Sequence, residues 1–442
     1  MSMSIGGHFT YPRLLRFVIS PILMMVCTSI YSVIDGFFIS NFVGKVPFAA
    51  VNLILPVDML AVALGFMIGE GGNAIISKTM GEGKKELANT YFSLLVCVSL
   101  VLGLILAAIC TIFVPEIARA LGANEQLRAD CITYGRVLFL GHIFYLLQNV
   151  FQSFYIAAGR PDLSLNTAIL AGVVNAVLDY VFIVVLQLGL AGAAAATVLG
   201  QAAGAIVPLA YFIRPNSSLL QLSRPKWYPS VVLKTLSNGS SEMVSVLSGS
   251  VISVLYNYQL LSIAGEDGVA AYGAIMYVDF IFMAVLLGYA SGSAPLISFQ
   301  YGAGNHTELN NLFRKSLIIM SATGLIMTGC SELLAEPLLE MFVGYDQGLF
   351  ELTLHGLRIF SLSFLIMGFN IFGSGFFTAL NNGIISAIVS FMRTMCFEVV
   401  CVLVLPIYLG INGIWSSIVV AEFLAAILTG YFILTRRSKY GY

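Results

Sequence analysis

The chain reads as a succession of long apolar runs, separated by short stretches of glycine, proline, asparagine and charge. About 20 apolar residues are what an α-helix needs to cross a bilayer core of about 30 Å. The runs show no strand-like alternation, so helices rather than a closed barrel must satisfy the backbone in lipid. Breaking the pattern at its punctuation predicts twelve helices, at 14–41, 48–76, 88–114, 131–157, 163–186, 191–213, 233–263, 268–297, 309–333, 352–378, 384–408 and 412–434.

Composition agrees. Of 442 residues 59% are hydrophobic and 10% charged, with a mean hydropathy of +0.93, where soluble proteins carry about 25% charge. The fold class expected is an all-α polytopic membrane protein. A net charge of −1 and no basic domain give nucleic acid no foothold. Seven cysteines form no CxxC pair, and four histidines form no HExxH cluster. No nucleophile–base or metal constellation marks an enzyme, and no cofactor is expected. The first apolar run is too long for a cleavable signal peptide and carries Asp35 inside it. With the N-terminus placed inside, inner segments hold fifteen Lys and Arg against five outside, with Arg393 in a span. Both termini are therefore expected in the cytoplasm.

Shifting the chain against itself by half its length aligns it without gaps. Gly44 falls on Gly265, Val57-Asp58 on Val278-Asp279, Gly81-x-Gly83 on Gly302-x-Gly304, and Asn149-x-Phe151-x-Ser153 on Asn370-x-Phe372-x-Ser374. Each half holds six predicted helices, so the halves share an orientation and are related by a pseudo-two-fold axis along the membrane normal. Residues 1–221 form an N-terminal six-helix lobe and 222–442 a C-terminal one, joined by the basic linker Arg214–Lys234. Two such bundles around a midplane site are what alternating access requires, which makes a transporter the leading class.

The halves differ in their acids. The stretch GVVNAVLDYVFIVV carries Asn175 and Asp179 four residues apart, on one helix face. A carboxylate there costs roughly 2.5–3.5 kcal/mol on insertion scales. At the repeat offset Asp35 meets Tyr256, Asn175 meets Cys396 and Asp179 meets Val400, so the shared fold does not need these groups. Two readings follow. The polar pair glues helices together, or Asp35 and Asp179 converge in the N-terminal lobe and bind a proton or a hard cation. Tyr134, Gln152 and Thr197 are oxygen-bearing neighbours that would complete such a site, and Pro21 is a candidate hinge below Asp35.

The stretches MIGEGGNAIISKTMGEGKKELANTYFS (67–93), SAPLISFQYGAGN (293–305) and NAVLDYVFI with GLAGAAAATVLGQ (175–201) together resemble the multidrug and toxic compound extrusion transporters. The match runs along essentially the whole chain and is closest to a bacterial branch of multidrug exporters. The resemblance implies twelve spans in two lobes, a bacterial inner (plasma) membrane location, a monomer, and export of amphipathic organic cations, drugs among them, for inward H+ or Na+. It places the first-helix acid on Asp35, the Asn-x-x-x-Asp pair on Asn175 and Asp179, a fourth-helix tyrosine on Tyr134 and a sixth-helix threonine on Thr197. Gln152 stands where the family has a shorter Asn, which leaves H+ against Na+ open. Some members carry a seventh-helix acid, and here Glu242 occupies that region.

Further candidates concern substrate. Asp58 and Asp279 are expected to face each other across the lobe interface, where they would meet a cationic substrate. Tyr31, Phe38, Tyr256, Tyr277, Phe280 and Met283 are candidates to line a cavity for flat cations. Arg393 and Glu398 are expected to pair with neighbours, Glu422 likewise, and Glu70 lies in a glycine-rich helix end explained by close packing. The competing function is a flippase for lipid-linked or other anionic lipid substrates. That chemistry calls for several buried Arg or Lys, and Arg393 is the one basic residue clearly inside a span.

Overall fold

The computed structural model describes residues 5–344 and 346–442. Among the described residues, twelve helical spans follow the predicted order: Tyr11–Val43, Lys45–Gly81, Lys85–Ile112, a bent pair Glu125–Leu140 and His142–Ala157, Pro161–Val185, Gly189–Ile213, 229–264, 266–302, His306–Val343, a second bent pair Gln347–Ser361 and Phe364–Ala379, Gly383–Leu409, and Ile411–Tyr440. They are called spans one to twelve below. Spans seven and eight form one helical stretch, broken only at Gly265, whose φ of 64° and ψ of −150° no helix accommodates. Prolines open several helices at their first turn, where their missing N–H costs nothing.

The internal repeat is a repeat of structure. Gly44 and Gly265 both take positive φ, as do Gly83 and Gly304, and Gly189 and Gly410. The turn after span two is closed by Lys84 N–H on Thr79 O, and the turn after span eight by Asn305 N–H on Gln300 O, the same bond half a chain further on. The sequence predicts spans four and ten as single helices. Each is bent instead, by 49° after Leu140 and by 47° after Ser361, at equivalent positions in the two halves. A short helix, Val114–Ala120, precedes span four where the apolar pattern predicts none.

The lobes meet tightly only toward the side that carries the chain termini. A Cβ on Gly239 of span seven would stand 1.8 Å from Met67 O, and one on Gly302 of span eight 2.1 Å from Lys78 O. Gly288 and Gly292 of span eight press on Pro21 and Ile22 of span one. Small residues permit this backbone approach, which in lipid is the main source of helix–helix attraction. One apolar core runs through the C-terminal lobe and the termini-side half of the N-terminal lobe. The far half of the N-terminal lobe has its own core, around Ile54, Tyr134, Leu138, Ile183 and Ala193. Toward that far side Leu55, Leu60, Tyr277, Phe280 and Ile281 are exposed. The two lobes thus press backbone on backbone at the termini side, and among the described residues these closest contacts do not continue on the other, where the lobes part.

Candidate functional site

Asp35 and Asp179 come together in the N-terminal lobe. Asp35 sits near the far end of span one, one turn before a π-helical segment, Ile39–Val43. Asp179 is the last α-helical residue of span five, immediately before the π-helical segment Tyr180–Val185. Such widened turns recur at functional positions because they displace backbone carbonyls and re-aim side chains. Asp35 neighbours Asp179, Asn175 and Thr197. Thr197 Oγ1 lies 3.4 Å from Asp35 Oδ1 and 3.1 Å from Ala193 O of its own helix, and its single proton serves one of them.

Asp179 is fully buried, and neither of its oxygens meets a donor. What confronts it is the Asp35 carboxylate, a second acceptor. Two acceptors facing each other away from water are satisfied only with a proton or a cation between them. Asn175, 3% exposed, also leaves both amide atoms unpartnered. Close packing puts it there: a Cβ on Gly200 of span six would stand 2.9 Å from Asn175 Cβ. Tyr134, from the first half of span four, is buried within electrostatic reach of Asp35, Asp58 and Asp179.

A small cavity adjoins the acids, lined by Tyr31, Gln148, Ala171, Asn175, Thr197, Gly200 and Gln201. The glutamine of span four that reaches it is Gln148. Gln152 lies one turn nearer the termini, where its backbone carbonyl accepts from Ser164 Oγ at 2.9 Å and its side-chain nitrogen is unpartnered. Gln148 and Gln201 each aim an unpartnered oxygen into this region. Sequence reasoning missed both, although each is an amide inside an apolar helix and could have been found on that signal.

Asp58 and Asp279 do not face each other across the lobes, which corrects the expectation. Each turns into its own bundle, where a partner lowers the cost of burying charge. Asp58 lies 3.2 Å from His142 Nε2. Asp279 lies in reach of Arg393 and Glu422, and with Glu398 these form the charged interior of the C-terminal lobe. There Arg393 Nε donates to Glu422 Oε1 at 2.7 Å and Asn370 Nδ2 to Glu422 Oε2 at 2.6 Å. Tyr256, the repeat partner of Asp35, is 1% exposed and stacks on Tyr272 at 4.8 Å, so it lines no open cavity. Tyr277 and Phe280 are 48% and 62% exposed on the side where the lobes part, whereas Met283 packs partly buried against the core. Phe38 packs its ring 5.9 Å from that of Phe42, tilted by 30°, at the far end of span one.

Glu242 is not at a solvated surface. It lines a second small cavity with Glu70, Leu287, Ser291 and Thr378, so the two lobes each contribute an acid. Glu70 Oε1 accepts from Ser153 Oγ at 2.9 Å.

Twelve spans in two repeated lobes, parted on one side, with a buried carboxyl pair in one lobe, define a multi-pass membrane transporter. The MatE family profile matches residues 21–181 and 242–404, two segments whose starts are separated by half the chain, one in each lobe. The chain belongs to the MatE family, among transporters rather than enzymes. The multidrug export protein MepA of Staphylococcus haemolyticus is 24% identical over 98% of this chain and 93% of its own length. MepA of a Staphylococcus aureus strain is 23% identical over the same shares. Among solved structures, an outward-facing multidrug resistance MATE family transporter of the MOP superfamily superposes with a TM-score of 0.90, at 24% identity over 96% of this chain and 95% of that one. A MOP superfamily transporter from Pyrococcus furiosus, whose reversed pocket polarity suggests a different function, superposes with a TM-score of 0.90 at 23% identity over 97% and 96%.

Proposed function

We propose that this protein exports amphipathic organic cations, drugs among them, from the cytoplasm in exchange for inward H+ or Na+. It would act as a monomer in a bacterial inner membrane with both termini in the cytoplasm. The observation that carries the coupling is the Asp35–Asp179 pair, two carboxylates face to face with no donor between them. Family membership and relatives named as multidrug export proteins support the cargo. The flippase reading gains nothing, because Arg393 is already held by Glu422.

With the termini inside, the side on which the lobes part is the outside. A proton or Na+ entering there cancels the repulsion between Asp35 and Asp179 and lets spans one and five draw together. Span one carries that movement down to Pro21, which is clasped between Gly288 and Gly292 of span eight. Ion binding in one lobe is thereby transmitted to the contact between lobes. A cationic substrate competes for the same negative field, so ion entry favours its release.

The test is export of a fluorescent organic cation from proteoliposomes, under a pH gradient or a Na+ gradient applied separately. One gradient should drive the wild type, and Asp35→Asn and Asp179→Asn should each lose gradient-driven export. Full coupling in both variants would make the carboxylates structural and refute the proposal.

A further inference from the structure

The pair just described leaves a third acid of the N-terminal lobe unused. Asp58 of span two is 6% exposed, and its Oδ1 lies 3.2 Å from His142 Nε2. His142 is fully buried, begins the second half of span four directly after the bend at Gly141, and packs its ring 4.9 Å from that of Phe139. Its other nitrogen, Nδ1, is buried without a partner. The groups within electrostatic reach of Asp58 come from spans one, three and four. They are Asp35 and Tyr31 of span one, Cys110 of span three, and Tyr134 and Tyr145 from the two halves of span four. No Lys or Arg is among them.

We propose that Asp58 and His142 form a second proton-binding station of the N-terminal lobe, which takes up a proton together with the Asp35–Asp179 pair. The proposal rests on the ion-coupled reading above and deepens it. Imidazole is the one side chain whose unperturbed charge changes between pH 5 and 8. With Nε2–H donating to Asp58, Nδ1 is the atom that gains and loses the proton. When it is charged, the imidazolium and Asp58 form an ion pair that ties span two to the bend of span four. When it is neutral, a single neutral-donor hydrogen bond remains, and Asp58 adds its full charge to the field around Asp35. The station also selects the ion. A hard cation such as Na+ needs an oxygen shell, whereas the neighbour of Asp58 is a nitrogen that in its charged form repels a metal cation. A lobe built this way runs on H+.

The experiment reads charge state and transport separately. Protein labelled with 15N-histidine in lipid nanodiscs gives an imidazole signal for His142, assigned by its absence in His142→Gln. The expected result is conversion from imidazolium to neutral imidazole as pH is raised, advanced by adding tetraphenylphosphonium as the organic cation. In proteoliposomes, His142→Gln and Asp58→Asn should slow pH-driven export of that cation about tenfold, the loss expected for one hydrogen bond to a charged group. A His142 that stays neutral throughout, with export by His142→Gln at the wild-type rate at every pH, overturns the inference. If His142→Gln does not fold, the titration of His142 in wild type against Asp58→Asn decides. Loss of coupling in Asp35→Asn and Asp179→Asn with His142 silent would sink the station alone. A titrating His142 with both of those variants fully coupled would sink the carboxyl-pair reading alone.

Discussion

Substituting Gly239 by alanine should pry the lobes apart on the termini side. In the state described here the new Cβ would stand 1.8 Å from Met67 O, 2.6 Å from Met67 C and 2.7 Å from Met67 Cα. The obstacle is backbone, which cannot rotate away as a side chain would. Ordinary van der Waals contact requires the two helices to part by about 1.5 Å. Gly71 of span two faces the same spot, its Cβ position 2.7 Å from Gly239 N, so sliding along the groove gives no relief. Overpacking of this kind costs about 1–3 kcal/mol. The protein has an alternative to strain, because the two lobes can separate. The whole cost then falls on this conformation, and its population against the state closed on the far side should drop about 5- to 150-fold.

Pulsed electron resonance between spin labels reads this directly. In a cysteine-free background, labels at positions 84 and 307 straddle the termini side, and labels at 40 and 262 the far side. Gly239→Ala should lengthen the first distance and shorten the second. Gly249→Ala on the same helix, whose Cβ would meet nothing within 4 Å, should leave both unchanged. A folded Gly239→Ala protein with wild-type distributions at both pairs would refute the claim that backbone contact between spans two and seven seals this side.

Three further outcomes are expected. Arg393→Met should destabilise the C-terminal lobe by about 3–5 kcal/mol by stranding the buried Glu422, read as lost thermal stability in detergent, and adding Glu422→Gln should recover much of it. Thr197→Val should weaken coupling no more than about fivefold, because a 3.4 Å contact shared with Ala193 O is a weak restraint on Asp35; a complete loss would make the hydroxyl an obligatory ion ligand. Glu308→Ala should free the N-terminal segment, since that carboxylate accepts from Phe9 N–H and pairs with His8, both at 2.8 Å, and limited proteolysis should then cut before residue 11 faster than in wild type.

What the sequence disclosed was whatever is local or additive. A run of about 20 apolar residues is long enough to span wherever it lies, and an acid inside one is conspicuous because its burial is costly. The twelve spans, the half-chain repeat, and Asp35 and Asp179 were legible for that reason. The bends of spans four and ten were not, because Gly141 is one of 42 glycines and Leu362, its repeat partner, carries no signal. Gln152 was singled out and Gln148 was not, although Gln148 is the one that lines the cavity: the two lie one turn apart on one face, and helix tilt decides which meets it. Asp58 and Asp279 read as facing across the lobes because the repeat makes them equivalent. Equivalence is silent on which way both turn, and the deciding partners, His142 and Arg393, are not themselves repeat-equivalent.

That last asymmetry separates the roles of the two lobes. Deep in each lobe a group of three acids gathers around one nitrogen base: Asp35, Asp58 and Asp179 with His142 on one side, and Asp279, Glu398 and Glu422 with Arg393 on the other. Arginine keeps its charge at any pH the protein meets, so the pair it forms with Glu422 is permanent. Histidine does not, and the carboxyl pair beside it lacks any fixed positive charge. A fold repeated almost element for element thus carries one lobe whose charge is held constant and one whose charge varies with the ions available. On the proposed ion-coupled reading, the second lobe converts an ion gradient into motion, and the first provides the surface against which it moves.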